Sequence, residues 1–170
     1  MLDEPVLGAG FEPSTANDPT DEPVTGRIRS LVMEEPFAVL CTQGEGQPYG
    51  SVVAFAFDQN LRSFAFATPR ATRKYRLLST CDRIALVVDN RHKYPGEFMK
   101  VGAVTITGRA HQVEQGPDFY RWAQLLLSRH PYLHSFVQSP STALFRVDTV
   151  RFLHVTRFQE VRQWVPTSDG

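Results

Sequence analysis

Residues 51–69, SVVAFAFDQNLRSFAFATP, alternate large and small apolar side chains. Val53, Phe55 and Phe57, then Phe64 and Phe66, take one set of alternate positions; Ala54, Ala56, Ala65 and Ala67 take the other. Alternation with period two puts the two sets on opposite faces of extended chain, and the polar break at residues 58–60 turns the run into a hairpin. Strand patterning recurs at residues 37–42, 83–90 and 101–113, the last long enough to bend near Gly108, and again at 142–155 and in the segment ending at Trp164. Helical spacing is confined to three stretches. Residues 26–34 bring Ile28, Leu31 and Val32 to one face with Thr25 as the expected cap. A second helix starts in PRATRKYRLLST, with Pro69 suited to its first turn, Thr72 as cap and Tyr75, Leu77, Leu78 and Cys81 as its stripe. Residues 117–129 form an amphipathic third. Six or so antiparallel strands with few helices predict a β-barrel in an α+β domain.

Length and composition narrow the class. At 170 residues, 21 % charged and 11 % aromatic, the chain has the balance of one ordinary globular domain, with no apolar run of membrane-spanning length and no secretory leader pattern at its start. A cytoplasmic protein with no membrane partner is expected, with Cys41 and Cys81 as free thiols. Charge is distributed unevenly. Asp3, Glu4, Glu12, Asp18, Asp21 and Glu22 all precede the first basic residue, Arg27, which leaves 18 basic against 12 acidic residues in the remainder. Residues 1–25 also hold Pro5, Pro13, Pro19 and Pro23. They read as a flexible acidic arm before a basic folded domain at 26–166.

Arg70, Arg73, Lys74 and Arg76 crowd the expected start of the second helix. The helix macrodipole already makes that end positive, so the pattern calls for an anion. The alanine face of the hairpin is open to two readings: close approach of a backbone or flat ligand, or the tapered packing of a small barrel. The glycines of QGEGQPYG do not fit a dinucleotide loop, and no G-x-S-x-G elbow is present. Pro131 separates His130 from His134 and no Glu completes a zinc motif, so a surface helix end is expected there rather than a metal. His92 falls in an exposed loop. Trp164 either covers a ligand or closes the barrel. Aromatics are not interleaved with the basic cluster and net charge is zero, so no nucleic-acid partner is expected.

Residues 47–88 are similar to the flavin-binding core of the pyridoxamine 5′-phosphate oxidase family. The resemblance lies in Gln47-Pro48-Tyr49, in Phe66-Ala67-Thr68 at the end of the hairpin, in Thr72-Arg73-Lys74 opening a helix, and in Arg83-Ile84-Ala85-Leu86. It implies an α+β fold with a six-stranded antiparallel split β-barrel and short flanking helices, binding FMN. Phosphate binding falls on Arg73 and Lys74 with Thr72 beside them, the flavin border on Ala67 and Thr68, and the ring contact on the backbone of Ser51, Val52 and Val53. The resemblance also implies a homodimer with the flavin between subunits and a flavin-dependent oxidoreductase acting on a small molecule. The alternative is a non-catalytic binder of flavin, deazaflavin or haem. The chain departs from the family pattern: the oxidase's substrate-clamping Tyr, Arg and Ser on the late helix and its C-terminal Arg-x-His find no match, and three positions differ in the core. Ser51 and Ala56 stand where the oxidase has Arg and Lys, and Ala103 where it has Gln.

Overall fold

The structure, a computed structural model, describes residues 23–156 and 160–166. The acidic arm expected at 1–25 lies outside the described residues as far as residue 22. Its expected boundary moves, because helix α1 runs Val24–Glu34 and so takes in Val24 and Thr25. Pro23 occupies the cap position with no side-chain hydrogen bond, and Thr25 sits inside the first turn rather than capping it. A proline is suited to that position because the missing N–H has no intrahelical acceptor there.

Among the described residues seven strands follow with three more α-helices: β1 Phe37–Gly44, β2 Gln47–Phe57, β3 Ser63–Pro69, α2 Arg73–Thr80, β4 Arg83–Asp89, β5 Ala103–Gln112, α3 Pro117–Arg129, α4 His134–Gln138, β6 Thr142–Thr156 and β7 Glu160–Trp164. The neighbours run β3-β2-β1-β4-β5-β6, all antiparallel, and β3 pairs back onto β6 to close a six-stranded barrel. The 15-residue β6 is long enough to serve two partners on one edge, β3 along Thr142 to Asp148 and β7 along Phe152 to Thr156. Its register against β5 shifts between Thr107 and Gly108. A Cβ on Gly108 would stand 2.6 Å from the carbonyl oxygen of Asp148, so glycine is required where the strand bends. The β1–β2 hairpin turns on Glu45 and Gly46, both at positive φ (53° and 78°), as a two-residue turn requires.

The large set of the hairpin fills the barrel. Val53, Phe55, Phe64 and Phe66 join Leu40, Leu86, Ile106 and Phe152 in one buried cluster, each fully buried side chain contributing roughly 2 kcal/mol. The alanine set faces outward, and most of it is covered by protein. Ala56 and Ala65 pack with Trp122, Ala123 and Leu126 of α3 and with Val137 of α4. Room for a flat ligand over the whole alanine face is therefore corrected: the apolar stripe of α3 needs an apolar bed, and small residues let the helix axis come close. No described helix is long and apolar enough to cross a membrane.

Candidate functional site

The site begins where the barrel splits. β2 pairs with β1 along its length from Gln47 to Ala54, but with β3 only from Phe55 to Phe57. β3 beyond Phe66 pairs only with β6. The facing edges of β2 at Ser51–Ala54 and of β3 at Ala67–Pro69 thus carry no strand partner, and the chain passes from the second of these edges straight into α2.

The connection is fixed by two threonines. Thr72 Oγ1 donates to the carbonyl of Pro69 at 2.8 Å and accepts from the amide of Tyr75 at 3.3 Å, the N-cap expected of it. Its single proton is used on Pro69, so the buried Thr68 hydroxyl, 3.0 Å away, donates to Thr72. Pro69 ends β3 instead of opening the helix; α2 starts at Arg73 because this threonine turn comes first. A Cβ on Gly44 would collide with Leu77, so glycine lets α2 lie against the end of β1.

The four cations have different surroundings. Arg70 is tied to the protein: its amide donates to Ser141, its guanidinium donates to the Tyr75 hydroxyl at 3.1 Å, and that hydroxyl donates to Gln112 at 3.2 Å. Arg73 lies over the ring of Tyr49 on β2, bridging the two sides of the split. Lys74 is half-buried, and burial pulls its ammonium below the usual lysine range. Arg76 is exposed. No described carboxylate pairs with any of the four. A helix start carrying uncompensated cations beside free backbone N–H groups has the chemistry of a phosphate or carboxylate site.

The remaining expected residues divide. Ser51 Oγ is buried with no hydrogen-bond partner, Val52 is 66 % exposed, and Val53 points into the core, which leaves only its backbone for the split. Ala67 is half-buried against the α3 cluster. Thr68, Thr72, Arg73 and Lys74 gather at one end of the split, and Arg73 connects them to the strand bearing Ser51 through Tyr49. No local pattern in the sequence ties residue 49 to residue 73.

Other candidates are resolved. His130 is buried, not at a surface helix end: Nε2 bonds the carbonyl of Phe55 at 3.0 Å and Nδ1 lies 3.3 Å from the Tyr132 hydroxyl. Burial, opposed by the Phe55 bond, lowers its pKa below the usual histidine value. His134 is exposed and bonds Gln138. Trp164 packs on Phe152 with ring centroids 4.9 Å apart, partly buried against the core of the barrel. Cys41 and Cys81 are free thiols. Among the described residues no group of three His, Cys, Asp or Glu side chains is placed to hold a metal ion.

Residues 24–157 match the family described as pyridoxamine 5′-phosphate oxidase. A search of curated proteins by sequence finds no match. Among solved structures, a haem-binding protein from Mycobacterium smegmatis superposes with a TM-score of 0.75 at 14 % identity, over 86 % of this chain and 59 % of that one. A protein from Clostridium acetobutylicum related to general stress protein 26, of the pyridoxinephosphate oxidase family, gives 0.65 at 14 % over 82 % and 92 %. An FAD-binding protein from Mesorhizobium loti gives 0.63 at 14 % over 76 % and 90 %. At such identities the likeness is one of fold, and the chain spans about three fifths of the haem-binding protein's length.

Proposed function

This chain belongs to the pyridoxamine 5′-phosphate oxidase family, and we propose that it binds FMN and acts as a flavin-dependent oxidoreductase on a small molecule. One observation carries the reading. The unpaired edge of β2 stands beside a helix start whose Arg73 and Lys74 have no described carboxylate partner. Arg73 would hold the phosphate as a planar fork and Lys74 as a point charge, with the first amides of α2 adding bonds. The backbone of Ser51, Val52 and Val53, with the unbonded Ser51 hydroxyl, offers donors and acceptors to the edge of a heterocycle. A bound flavin supplies the electron transfer; the chain supplies position and electrostatics.

The departures argue against pyridoxamine phosphate itself as substrate. Ala56 packs beneath α3, so a lysine in its place would have to lift the helix. Ser51 and Ala103 likewise lack the charge or amide of the oxidase residues they replace. A second reading, haem, is favoured by the haem-binding structural relative. Its propionates would suit the same cations, and of the two tyrosines there Tyr49 would offer a phenol oxygen to the iron, the Tyr75 hydroxyl being committed to Gln112. A deazaflavin with a phosphate would use the same site.

A ring set against β2 would leave its outer side in water, and we extend the proposal to a two-fold homodimer in which the second copy covers it. Titration of flavin-free protein tests the cofactor reading. FMN binding about tenfold or more tighter than riboflavin is expected, and equal affinities would overturn the phosphate site. Sedimentation as a monomer that retains flavin would overturn the dimer alone.

A further inference from the structure

A pocket of about 580 Å³ lies between the end of α1, the end of β2 and the last turn of α3. Met33, Pro36, Ala56, Phe57 and Leu125 give it an apolar wall, and two arginines line it, Arg29 and Arg129, against one acidic residue, Glu34. Arg129 is half-buried, its guanidinium carbon 4.8 Å from the ring centroids of both Phe55 and Phe57. It donates to the carbonyls of Val32 at 3.0 Å and Glu35 at 2.9 Å, which take two of its five N–H groups. No described carboxylate pairs with it. Carbonyls and ring faces carry no net charge, so the cation stays uncompensated, and burial pulls its pKa below the usual arginine range. Arg29 is exposed and gives one N–H to the carbonyl of Gln59 at 2.8 Å. Glu34 is taken up by Lys93. The Phe55 carbonyl can only accept, so Nε2 of His130 carries the proton there, and with its pKa lowered by burial this histidine adds no charge.

A charge in apolar surroundings is stabilised by a counter-ion, and a guanidinium with donors to spare offers a planar fork to a carboxylate. We infer that this pocket binds a small molecule with a compact apolar body and one carboxylate, the body against Met33, Phe57 and Leu125 and the carboxylate on Arg129, with Arg29 adding positive charge. The volume suits such a ligand. Charge selects the head group: with Glu34 neutralised by Lys93, the two arginines leave the pocket cationic, so an amine is repelled and a neutral molecule forgoes the ion pair. The site does not rest on the flavin reading. It uses the part of β2 that is paired with β3, at Ala56 and Phe57, and no residue of α2.

The test is a titration of the purified protein with benzoate, benzamide and benzylamine, followed through the backbone amide shifts of Met33, Phe57, Leu125 and Arg129. Benzoate is expected to move these signals and to bind about tenfold tighter than benzamide, a neutral molecule of nearly the same shape, because a charge-assisted bond replaces a neutral one. Benzylamine is expected to leave them in place. Arg129→Met keeps an unbranched side chain against the two rings, removes the charge, and should abolish the preference for benzoate. Arg129 also holds the end of α1, so a second variant keeps the test independent of folding there. Ser128→Trp, at an exposed position on the pocket wall, should weaken benzoate and benzamide alike by filling the space. Benzamide binding as tightly as benzoate, shifts confined to Thr72, Arg73 and Lys74, no binding, an unchanged preference in Arg129→Met, or unaltered affinities in Ser128→Trp would each overturn the proposal.

Discussion

The guanidinium of Arg73 lies over the ring of Tyr49, its Cζ 5.1 Å from the ring centroid. Tyr49 belongs to β2 and Arg73 to the helix that follows β3, so the contact spans the split. Held in this way, Arg73 loses little further freedom on meeting an anion.

Replacing Arg73 and Lys74 together by Ala is expected to weaken FMN strongly and riboflavin little. Each charged contact to phosphate contributes roughly 1.5–3 kcal/mol, so the loss for FMN should exceed a hundredfold. Salt should weaken FMN binding to the unaltered protein in the same sense. Parallel losses for the two ligands in a fluorescence titration would place the phosphate elsewhere.

Thr72→Ala removes the cap of α2 and leaves the buried Thr68 hydroxyl without its acceptor. The two effects together should destabilise the fold by about 2 kcal/mol in denaturant unfolding, while Thr72→Ser stays near the parent. An alanine variant as stable as the parent would contradict the hydrogen-bond order derived for this turn.

Much of this was legible because it is local. The Phe and Ala alternation named both faces of the hairpin, Gly108 announced the bend in β5, and Thr72 announced a cap. Alternation does not say what covers a face, and the alanines turned out to lie under α3, whose stripe alone could have claimed them. Pro69 was compatible with a helix or a strand end; its carbonyl, bonded twice by Thr72, decided for the strand. Arg70 to Tyr75 to Gln112, Arg73 to Tyr49 and His92 to Glu35 join residues remote in sequence through the closure of the barrel. Such contacts follow from topology and leave no periodic trace.

Gly108→Ala forces a methyl group within 2.6 Å of both the Asp148 carbonyl and Val147 Cγ1. A loss of about 1–3 kcal/mol is expected, since two paired strands must part to admit it. Unchanged unfolding would mean that the bulge relaxes freely.

His154 is buried on β6 near Arg27 and Arg162, and its pKa is pushed down to about 4, first by burial and then by these two cations. Above the unfolded value of about 6.5 both states are neutral there and the group has no effect on stability. As pH falls from 6.5 toward 4 the unfolded chain takes the proton and the folded chain does not, so stability declines, by at most ~3 kcal/mol from this residue. His154→Gln should flatten that part of the pH profile. A profile unchanged by the substitution would show that the decline belongs to other groups.

The proposal that this fold holds a phosphorylated flavin is tested most directly by the cofactor itself. The protein is purified without added ligand, its visible spectrum is recorded, and the small molecule released on denaturation is identified by mass. A flavin spectrum and the mass of FMN are expected, with the flavin lost from a protein carrying Ala at positions 73 and 74. A Soret band with release of haem, or protein that stays colourless and takes up no FMN when it is supplied, would contradict it.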